Sequence, residues 1–536
     1  MSNKHLFAPS GTAPHPDTIN EAGGSAYAFS PAHALAQYAM TGTFHGTFYA
    51  TDKEQLDRVA ALAKAVTPEL VAKTAVYCRE NGKMKDMPAF LVAHLAARDV
   101  AQMTRIFPRV IDDGKMLRNF VQIVRSGVTG RKSFGSAPKR ALRSWFASRS
   151  PDVIFRQSIG QSPSMSDVIK MVRPPPRNDK GEADAVREAL YGYLIGKNID
   201  AAKLPALAQS FEAWKRGEGS LPDVPFEMLT ALPLRAGDWK ELARRMTTTQ
   251  LRINLNTLLR HGVFDDAKMV LDVAVRIADV VAIRRARVMP YQLLAAYRHV
   301  ENSMPPAIVT ALAVALEHSV ANVPELGGAR HIVLCPDVSG SMQSPVTGHR
   351  GTATTKVRCV DVAALVTAAI LRRNPGATVV PFSDDVVMMD RPLNPLDSIV
   401  TNAERLASLP SGGTACSAPL RWLNARGEAP DVVVFVSDNQ SWSDFRITAR
   451  PDPHNQRGTV MAEEWQRLRV RNPKAKLVLV DVQPYRTTQV AGSESRDDVL
   501  NVGGFSDAVF DVIAAFTRGD LTGDTWLQAI EQIALD

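Results

Sequence analysis

Cysteine is scarce in this chain, and the four that occur are isolated from one another: Cys78, Cys335, Cys359 and Cys416. No pair has the Cys-x-x-Cys spacing of a zinc or redox site, so the sequence excludes a disulfide framework and a cysteine-rich metal centre. Such sparse cysteine is typical of proteins that fold in a reducing compartment. We therefore expect a cytoplasmic protein.

Long hydrophobic runs are also absent. No run approaches the roughly 18–20 apolar residues that a membrane-spanning helix needs. Residues 1–16 lack the apolar core of a secretory signal peptide, so we expect neither a signal nor a membrane span. A chain of 536 residues with 45% hydrophobic and 22% charged residues has a globular composition. Its length exceeds what one hydrophobic core fills and predicts more than one domain.

Acidic residues are missing from residues 114–151, a stretch that contains nine basic ones: Lys115, Arg118, Arg125, Arg131, Lys132, Lys139, Arg140, Arg143 and Arg149. Residues 328–536 carry 21 Lys or Arg against 24 Asp or Glu, a net charge of −3. The rest carries 42 against 31, a net charge of +11. This imbalance predicts a polyanionic partner, RNA or DNA, for the first three-fifths of the chain. The alternative is an ordinary solvated basic surface.

Helical periodicity dominates from about residue 30 to residue 320. Apolar residues recur at spacings of three and four, and Pro or Gly marks the short connections. So many helix pairs exceed a four-helix bundle, and stacked pairs of the HEAT type are the expected arrangement. Periodicity leaves open whether such an array forms an arc or closes into a ring.

The periodicity changes after Gly327-Gly328, where short apolar runs alternate with helical stretches. The predicted strands are Ile332–Leu334, Ala377–Phe382, Asp431–Val436 and Lys476–Val482. The predicted helices are Lys356–Arg373, Ala415–Ala425, Thr459–Asn472 and Ser506–Arg518. This alternation predicts a doubly wound α/β domain, in which ligands bind beyond the carboxyl ends of parallel strands.

Five oxygen-bearing side chains follow these strands in three loops: Asp337, Ser339, Ser341, Thr414 and Asp438. Two carboxylates and three hydroxyls are hard donors that suit Mg2+ or another divalent cation. The pattern resembles the metal-ion-dependent adhesion site of the von Willebrand factor A domain. A site of this kind holds a partner's carboxylate. The three loops contain no His or Glu to act as a general base, so we expect no enzyme activity from it.

Four stretches of the helical region resemble the TROVE module of the Ro autoantigen family: residues 41–49, 127–146, 246–255 and 287–295. In that family, too, the helical module is followed by an A-type domain with an Asp-x-Ser-Gly-Ser loop. The chain is therefore similar to a bacterial Ro protein from about residue 25 to residue 536. The expected domains are a flexible segment (1–25), a TROVE-like repeat domain (26–327) and a von Willebrand factor A-like domain (328–536).

The resemblance implies a monomeric RNA-binding protein with a ring of helical repeats. Small structured Y-like RNAs would bind its outer surface, and single-stranded 3′ ends of misfolded RNAs would enter the ring. An exoribonuclease such as polynucleotide phosphorylase is an implied partner. The positions carried over for RNA binding are Arg131, Lys132, Lys139, Arg140 and Arg143.

The chain departs from the family at residues 162–170, where a Trp-Ser-His element is missing. Two alternatives to RNA binding remain open from the sequence. One is a protein-interaction scaffold that grips a partner's carboxylate through the metal site, and the other is an RNA-processing enzyme that uses the metal directly.

Overall fold

The structure is a computed structural model that describes residues 13–41, 44–160, 162–351, 354–444, 458–483, 485–490, 497–504, 507–520 and 525–535. The chain divides into two compact units. The first contains Met1–Leu62 and Val270–Ile530, and the second contains Ala63–Met269 together with Glu531–Asp536.

The N-terminal part of the first unit contains two short strands and two helices: β1 (Thr18–Ile19), β2 (Ser25–Ala28), α1 (Pro31–Thr41) and α2 (Asp52–Ala65). The strands pair with each other in an antiparallel sense. Helix α1 is buried from His33 to Met40 on all its faces, as its high content of Ala and Leu allows.

The second unit is helical: α3 (Pro68–Glu80), α4 (Asp86–Arg98), α5 (Val100–Val110), α6 (Gly114–Ser126), α7 (Ser136–Ala147), α8 (Pro151–Arg156), α9 (Met165–Val172), α10 (Ala185–Leu194), α11 (Ala206–Lys215), α12 (Phe226–Thr230), α13 (Ala236–Arg245) and α14 (Thr248–Arg260). Side chains of the type that favours the first position of a helix cap the N-termini of several of these helices. Thr67 accepts from the Leu70 backbone N–H, and Asp113 accepts from that of Met116. Ser164 and Asp167 form a capping box at α9.

Four further helices precede the sheet: α15 (Ala267–Ala278), α16 (Val280–Arg285), α17 (Pro290–His299) and α18 (Pro306–Ser319). Pro290 and Pro306 each stand in the first turn, where a missing N–H costs no hydrogen bond. The helical content of residues 31–319 confirms the prediction of a helical region from about residue 30 to residue 320.

A parallel sheet forms the centre of the C-terminal part: β3 (Ile332–Pro336), β4 (Thr378–Val379), β5 (Val432–Ser437), β6 (Lys476–Asp481) and β8 (Val499–Gly503). Its strand order is β4-β3-β5-β6-β8, with β3 and β5 in register from Ile332↔Val432 to Pro336↔Val436. A short strand, β7 (Thr487–Thr488), pairs with β2 instead. The N-terminal segment thus extends the structure of the C-terminal domain.

Helices cover both faces of this sheet: α19 (Cys359–Arg373), α20 (Ile399–Ala407), α21 (Ala418–Ala425), α22 (Val460–Arg471) and α23 (Asp507–Arg518). A last helix, α24 (Thr525–Glu531), ends near the C-terminus. Alternate strand residues such as Val433 and Phe435 pack with Leu420 and Trp465 in one hydrophobic core, which also contains Cys335. Helix α19 contacts β3 and β5.

These features confirm the doubly wound α/β prediction. The predicted strands near residues 332, 431 and 476 lie within two residues of their positions in the structure. The run Ala377–Phe382 was too long, because regular pairing is confined to Thr378–Val379. Strand β8 was not predicted, since Asn501 and Gly503 interrupt the apolar pattern that identifies a buried strand. Helix α20 was not predicted either.

Candidate functional site

The five predicted metal ligands lie at one end of the parallel sheet. Asp337 directly follows β3, and Asp438 directly follows the neighbouring β5. Their backbones remain tied together there, because the Asp337 N–H donates to the Val436 carbonyl at 3.0 Å. Ser339, Ser341 and Thr414 are buried with them, and all five side chains are at most 4% exposed. Adjacent parallel strands end at the same edge, so the two carboxylate loops necessarily converge.

The loop after β3 is folded by its own side chains. The Ser339 N–H donates to Oδ1 of Asp337 at 2.8 Å, which turns the backbone just after the strand. The Oγ atoms of Ser339 and Ser341 are then 3.3 Å apart, so that either hydroxyl can donate to the other. Three of the five predicted ligands thus face one small volume.

Two glycines allow the Thr414 loop to approach. The Gly340 N–H donates to the Gly412 carbonyl at 2.9 Å, which joins this loop to the one after β3. A Cβ atom at Gly413 would lie 2.1 Å from Oγ of Ser443 and 2.8 Å from the Trp442 ring. Only glycine fits at such distances, and the Thr414 carbonyl in turn accepts from the Ser443 N–H at 2.9 Å.

Ser437 connects the two carboxylate loops, a role that the sequence analysis missed. Its hydroxyl donates to Oδ2 of Asp337 at 2.5 Å and accepts from the Asn439 N–H at 2.9 Å. Asn439 has a φ of 56°, in the left-handed region that asparagine tolerates better than most residues. The signal was available, since Ser437 is the last strand residue before Asp438 in a Ser-Asp-Asn turn.

The electrostatics of this end of the sheet favour a cation. Burial, and then the charge of Asp438, raise the pKa of Asp337 to about 7. Burial likewise raises the pKa of Asp438, whose buried Oδ2 has no hydrogen-bond partner. Neither carboxylate forms an ion pair with a basic side chain in the described part of the chain. Two buried, uncompensated carboxylates beside three hydroxyls fit a divalent cation.

The donor set excludes a cation that needs more carboxylates or imidazoles. Among the described residues, no group of three or more His, Cys, Asp or Glu side chains is placed to hold a metal ion. A cation held at this site would take its further protein ligands from the hydroxyls of Ser339, Ser341 and Thr414, which hard cations of the Mg2+ type accept.

Tyr49 lies beside this site. Its hydroxyl lies near that of Ser341, and burial together with the charges of Asp438 and Asp337 raises its pKa. Its ring packs edge-on against Tyr485 at a centroid distance of 6.0 Å. A backbone bridge between Gly46 and His349 holds the Tyr49 loop in place. The stretch 41–49 was noted only for a family resemblance, and residues 42–43 lie outside the described residues.

The acid-free stretch predicted to bind a polyanion lies in the second unit. None of its nine basic side chains forms an ion pair with a carboxylate in the described part of that unit. By contrast, Arg79 and Arg109 on nearby helices pair with Asp112 and Glu80. Helix α7 buries one side of its surface, which contains Ala141, Leu142, Trp145 and Phe146.

The five predicted RNA-binding residues fall into two groups. Arg131 and Arg143 are half-buried and hold backbone carbonyls: Nε of Arg131 donates to Ser133 O at 2.8 Å, and Nε of Arg143 donates to Val172 O at 2.9 Å. Lys132 and Arg140 are exposed, and Lys139 is half-buried. The second group carries the positive charge that the protein itself leaves uncompensated.

A family model described as the Ro60 vWA domain matches residues 331–517. A relative from Deinococcus radiodurans named "RNA-binding protein RO60" is 27% identical over 554 aligned positions, which cover 94% of this chain and 95% of the relative. The chain is therefore similar to proteins of the Ro family over nearly its whole length.

The fold of the chain matches a solved structure as well. The crystal structure of the Deinococcus radiodurans RO (RSR) protein covers 92% of this chain and 100% of its own, with a TM-score of 0.58 at 22% identity. The helical region and the A-type domain are thus shared as a pair. No helix in the described part of the chain is long and apolar enough to cross a membrane.

Proposed function

We propose that this chain is an RNA-binding protein without enzymatic activity. The observation that carries the proposal is the acid-free stretch 114–151, whose basic side chains have no carboxylate partners in the described structure. A relative that aligns with 94% of the chain bears the name of an RNA-binding protein. Unpaired cations on a rigid helical unit suit the phosphate backbone of a nucleic acid.

Lys132, Lys139 and Arg140 are the residues that we expect to contact phosphates, because nothing in the described protein neutralises them. Arg131 and Arg143 act differently. Their carbonyl contacts fix the loop before α7 and the body of α7, and their charges add to the positive potential of the surface. A Cβ atom at Gly135, where φ is 65°, would lie 2.2 Å from the Arg131 guanidinium. Arg131 thus packs closely against the start of α7.

The finer partners follow from the family resemblance. We propose that a small Y-like RNA binds the basic surface, that single-stranded 3′ ends of misfolded RNA enter a ring, and that an exoribonuclease such as polynucleotide phosphorylase acts with the complex in RNA quality control in the cytoplasm. The ring, a single protein copy and the domain boundaries at residues 25 and 327 remain predictions.

For the A-type domain we propose a bound divalent cation, Mg2+ in the first instance. Asp337, Ser339, Ser341, Thr414 and Asp438 would hold it. When bound, such an ion offers an exchangeable coordination position to an oxygen ligand. Ser437 orients Asp337, and the bond between Gly340 and Gly412 keeps the Ser341 and Thr414 loops together.

The second candidate function is a metal-dependent interaction scaffold that grips a partner's carboxylate. The unpartnered Oδ2 of Asp438 favours it, because the site is built to carry a ligand beyond its own side chains. On this alternative, Asp337→Ala would abolish partner binding, whereas changes at Lys132, Lys139 and Arg140 would have little effect.

The test is a binding titration of a fluorescent RNA hairpin with a single-stranded 3′ tail. A variant with Lys132, Lys139 and Arg140 all changed to Glu should lose binding by 100-fold or more, since three phosphate contacts become repulsive. The control reverses three exposed lysines elsewhere in the same region, Lys197, Lys203 and Lys268, and so has the same net charge. Equal loss in both variants would show a non-specific charge effect, and equal binding by all three proteins would refute the proposed surface.

A further inference from the structure

A pocket of about 280 Å³ opens on the second unit between α5 and α7. Its walls include Phe107 and Trp145, and Arg140, Ser144 and Ser148 lie at its exposed edge. No Asp or Glu lines it. The same helix therefore contributes an aromatic pocket and the basic side chains assigned above to phosphate contacts.

Arg149 forms a preorganised flat platform in this pocket. Its Cζ atom lies 4.0 Å from the centroid of the Trp145 ring, so one face of the guanidinium covers the indole. Its in-plane N–H groups donate three hydrogen bonds, to Trp145 O at 3.0 Å, Oγ of Ser148 at 3.1 Å and Asp112 O at 2.8 Å. Bonds in the guanidinium plane fix its orientation and do not occupy the face opposite the indole.

Trp145, which lines the pocket, also has a hydrogen-bond donor that the described protein does not satisfy. Nε1–H of Trp145 is buried and lacks a partner, although a donor in such a position normally has one. Phe107 completes the apolar side of the pocket, and its ring packs edge-on against Phe120 at 5.2 Å. Aromatic and guanidinium surfaces next to a cationic edge match the two parts of a nucleotide.

We propose that this pocket receives one unpaired base of the bound RNA. The base stacks on the face of Arg149 opposite the indole, and the adjoining phosphate contacts Arg140 at the edge. The inference rests on the proposed RNA binding and deepens it, since it assigns unpaired bases, rather than duplex, as what this surface selects. A base held in a duplex cannot enter, because its faces are already stacked on its neighbours.

The experiment uses the full chain and two hairpins of the same stem, one blunt and one with a single-stranded tail that contains 2-aminopurine. Wild type should bind the tailed RNA roughly tenfold more tightly than the blunt one, as expected for one stacked base, and should quench the 2-aminopurine. Arg149→Lys keeps the charge but removes the flat surface, and Ser144→Phe fills the pocket from an exposed helix position. Both should abolish the preference and the quenching.

Arg244→Lys is the matched control, because it makes the same chemical change at an exposed arginine outside the pocket and outside residues 114–151, and it should preserve the preference. If wild type binds both hairpins equally and neither pocket variant alters binding, the pocket assignment is wrong while RNA binding stands. If wild type binds neither RNA, both proposals fall. Competition by adenosine monophosphate without any tail preference would assign the pocket to a free nucleotide and overturn the proposal.

Discussion

Replacing Asp438 by Asn tests whether the A-type domain is built around a cation. The substitution removes one of two buried negative charges and keeps the size of the side chain. Oδ2 of Asp438 has no hydrogen-bond partner, so an amide group in its place displaces no donor. In a chelating buffer at pH 8 the variant should therefore be more stable than wild type. Added Mg2+ should stabilise wild type and leave the variant nearly unchanged.

The size of the stabilisation expected for Asp438→Asn follows from the raised pKa of Asp337. A pKa raised from 3.8 to about 7 corresponds to an upper bound of about 4 kcal/mol against ionisation in the folded state. Burial is the larger cause and persists in the variant, whereas the charge of Asp438 is the second cause and is removed. The metal-free variant should thus gain about 1–2 kcal/mol in free energy of unfolding, or roughly 2–6 °C in melting temperature.

The raised pKa of Asp337 also determines the direction in which stability changes with pH. The pKa of Asp337 is higher in the folded than in the unfolded state, so the folded state binds more protons between about pH 4 and pH 7. Metal-free wild type should lose stability as the pH rises through that window, and the advantage of Asp438→Asn should vanish near pH 4. Thermal melts at several pH values, with EDTA and with Mg2+, measure this. A variant less stable than wild type in EDTA at pH 8 would refute the reasoning, as would equal stabilisation of both by Mg2+.

Three further outcomes are expected. Changing Lys132, Lys139 and Arg140 together to Gln should lower the slope of log K for RNA binding against log salt concentration by about 2, because each phosphate contact contributes roughly 0.7–0.9. Anisotropy titrations in several KCl concentrations measure this slope, and an unchanged slope would show that these side chains do not contact the phosphates. Tyr49→Phe should cost about 1 kcal/mol in urea unfolding, because it removes a polar hydroxyl that lies near Ser341 in a buried site; no loss would mean that this hydroxyl makes no favourable polar contact in solution. Gly413→Ala should destabilise the domain by about 1–3 kcal/mol and weaken Mg2+ stabilisation, since its Cβ would collide with the Trp442 ring; a variant with normal stability and normal Mg2+ response would contradict the close packing.

The position of the candidate metal site could largely be predicted from the sequence, because its two carboxylates follow strongly apolar strands. Once β3 and β5 are recognised as buried parallel strands, the positions of Asp337 and Asp438 at a common edge follow from the geometry of such sheets. Tyr49 could not be found in this way, since it lies almost 300 residues earlier in the chain. Its contact with Ser341 depends on tertiary packing that leaves no local pattern.

The long-range contacts of the N-terminal segment could not be predicted from the sequence for the same reason. Residues 25–28 pair with Thr487–Thr488, and Nε2 of Gln37 donates to Oδ2 of Asp481 at 3.1 Å. These contacts join the ends of a long chain, and no periodicity reports them. Charge alone also does not reveal which groups surround a basic side chain. Arg143 and Lys139 were predicted as one group, although only Arg143 of the two donates a hydrogen bond to a backbone carbonyl.

Ultraviolet crosslinking tests most directly whether RNA binds the surface formed by residues 115–149. The full chain is crosslinked to a tailed RNA hairpin, and the modified peptides are identified by mass spectrometry. We predict crosslinks concentrated on peptides that contain Lys132, Lys139 or Arg140 and lost in high salt. Crosslinks confined to other parts of the chain, or none at RNA concentrations that saturate binding, would contradict it.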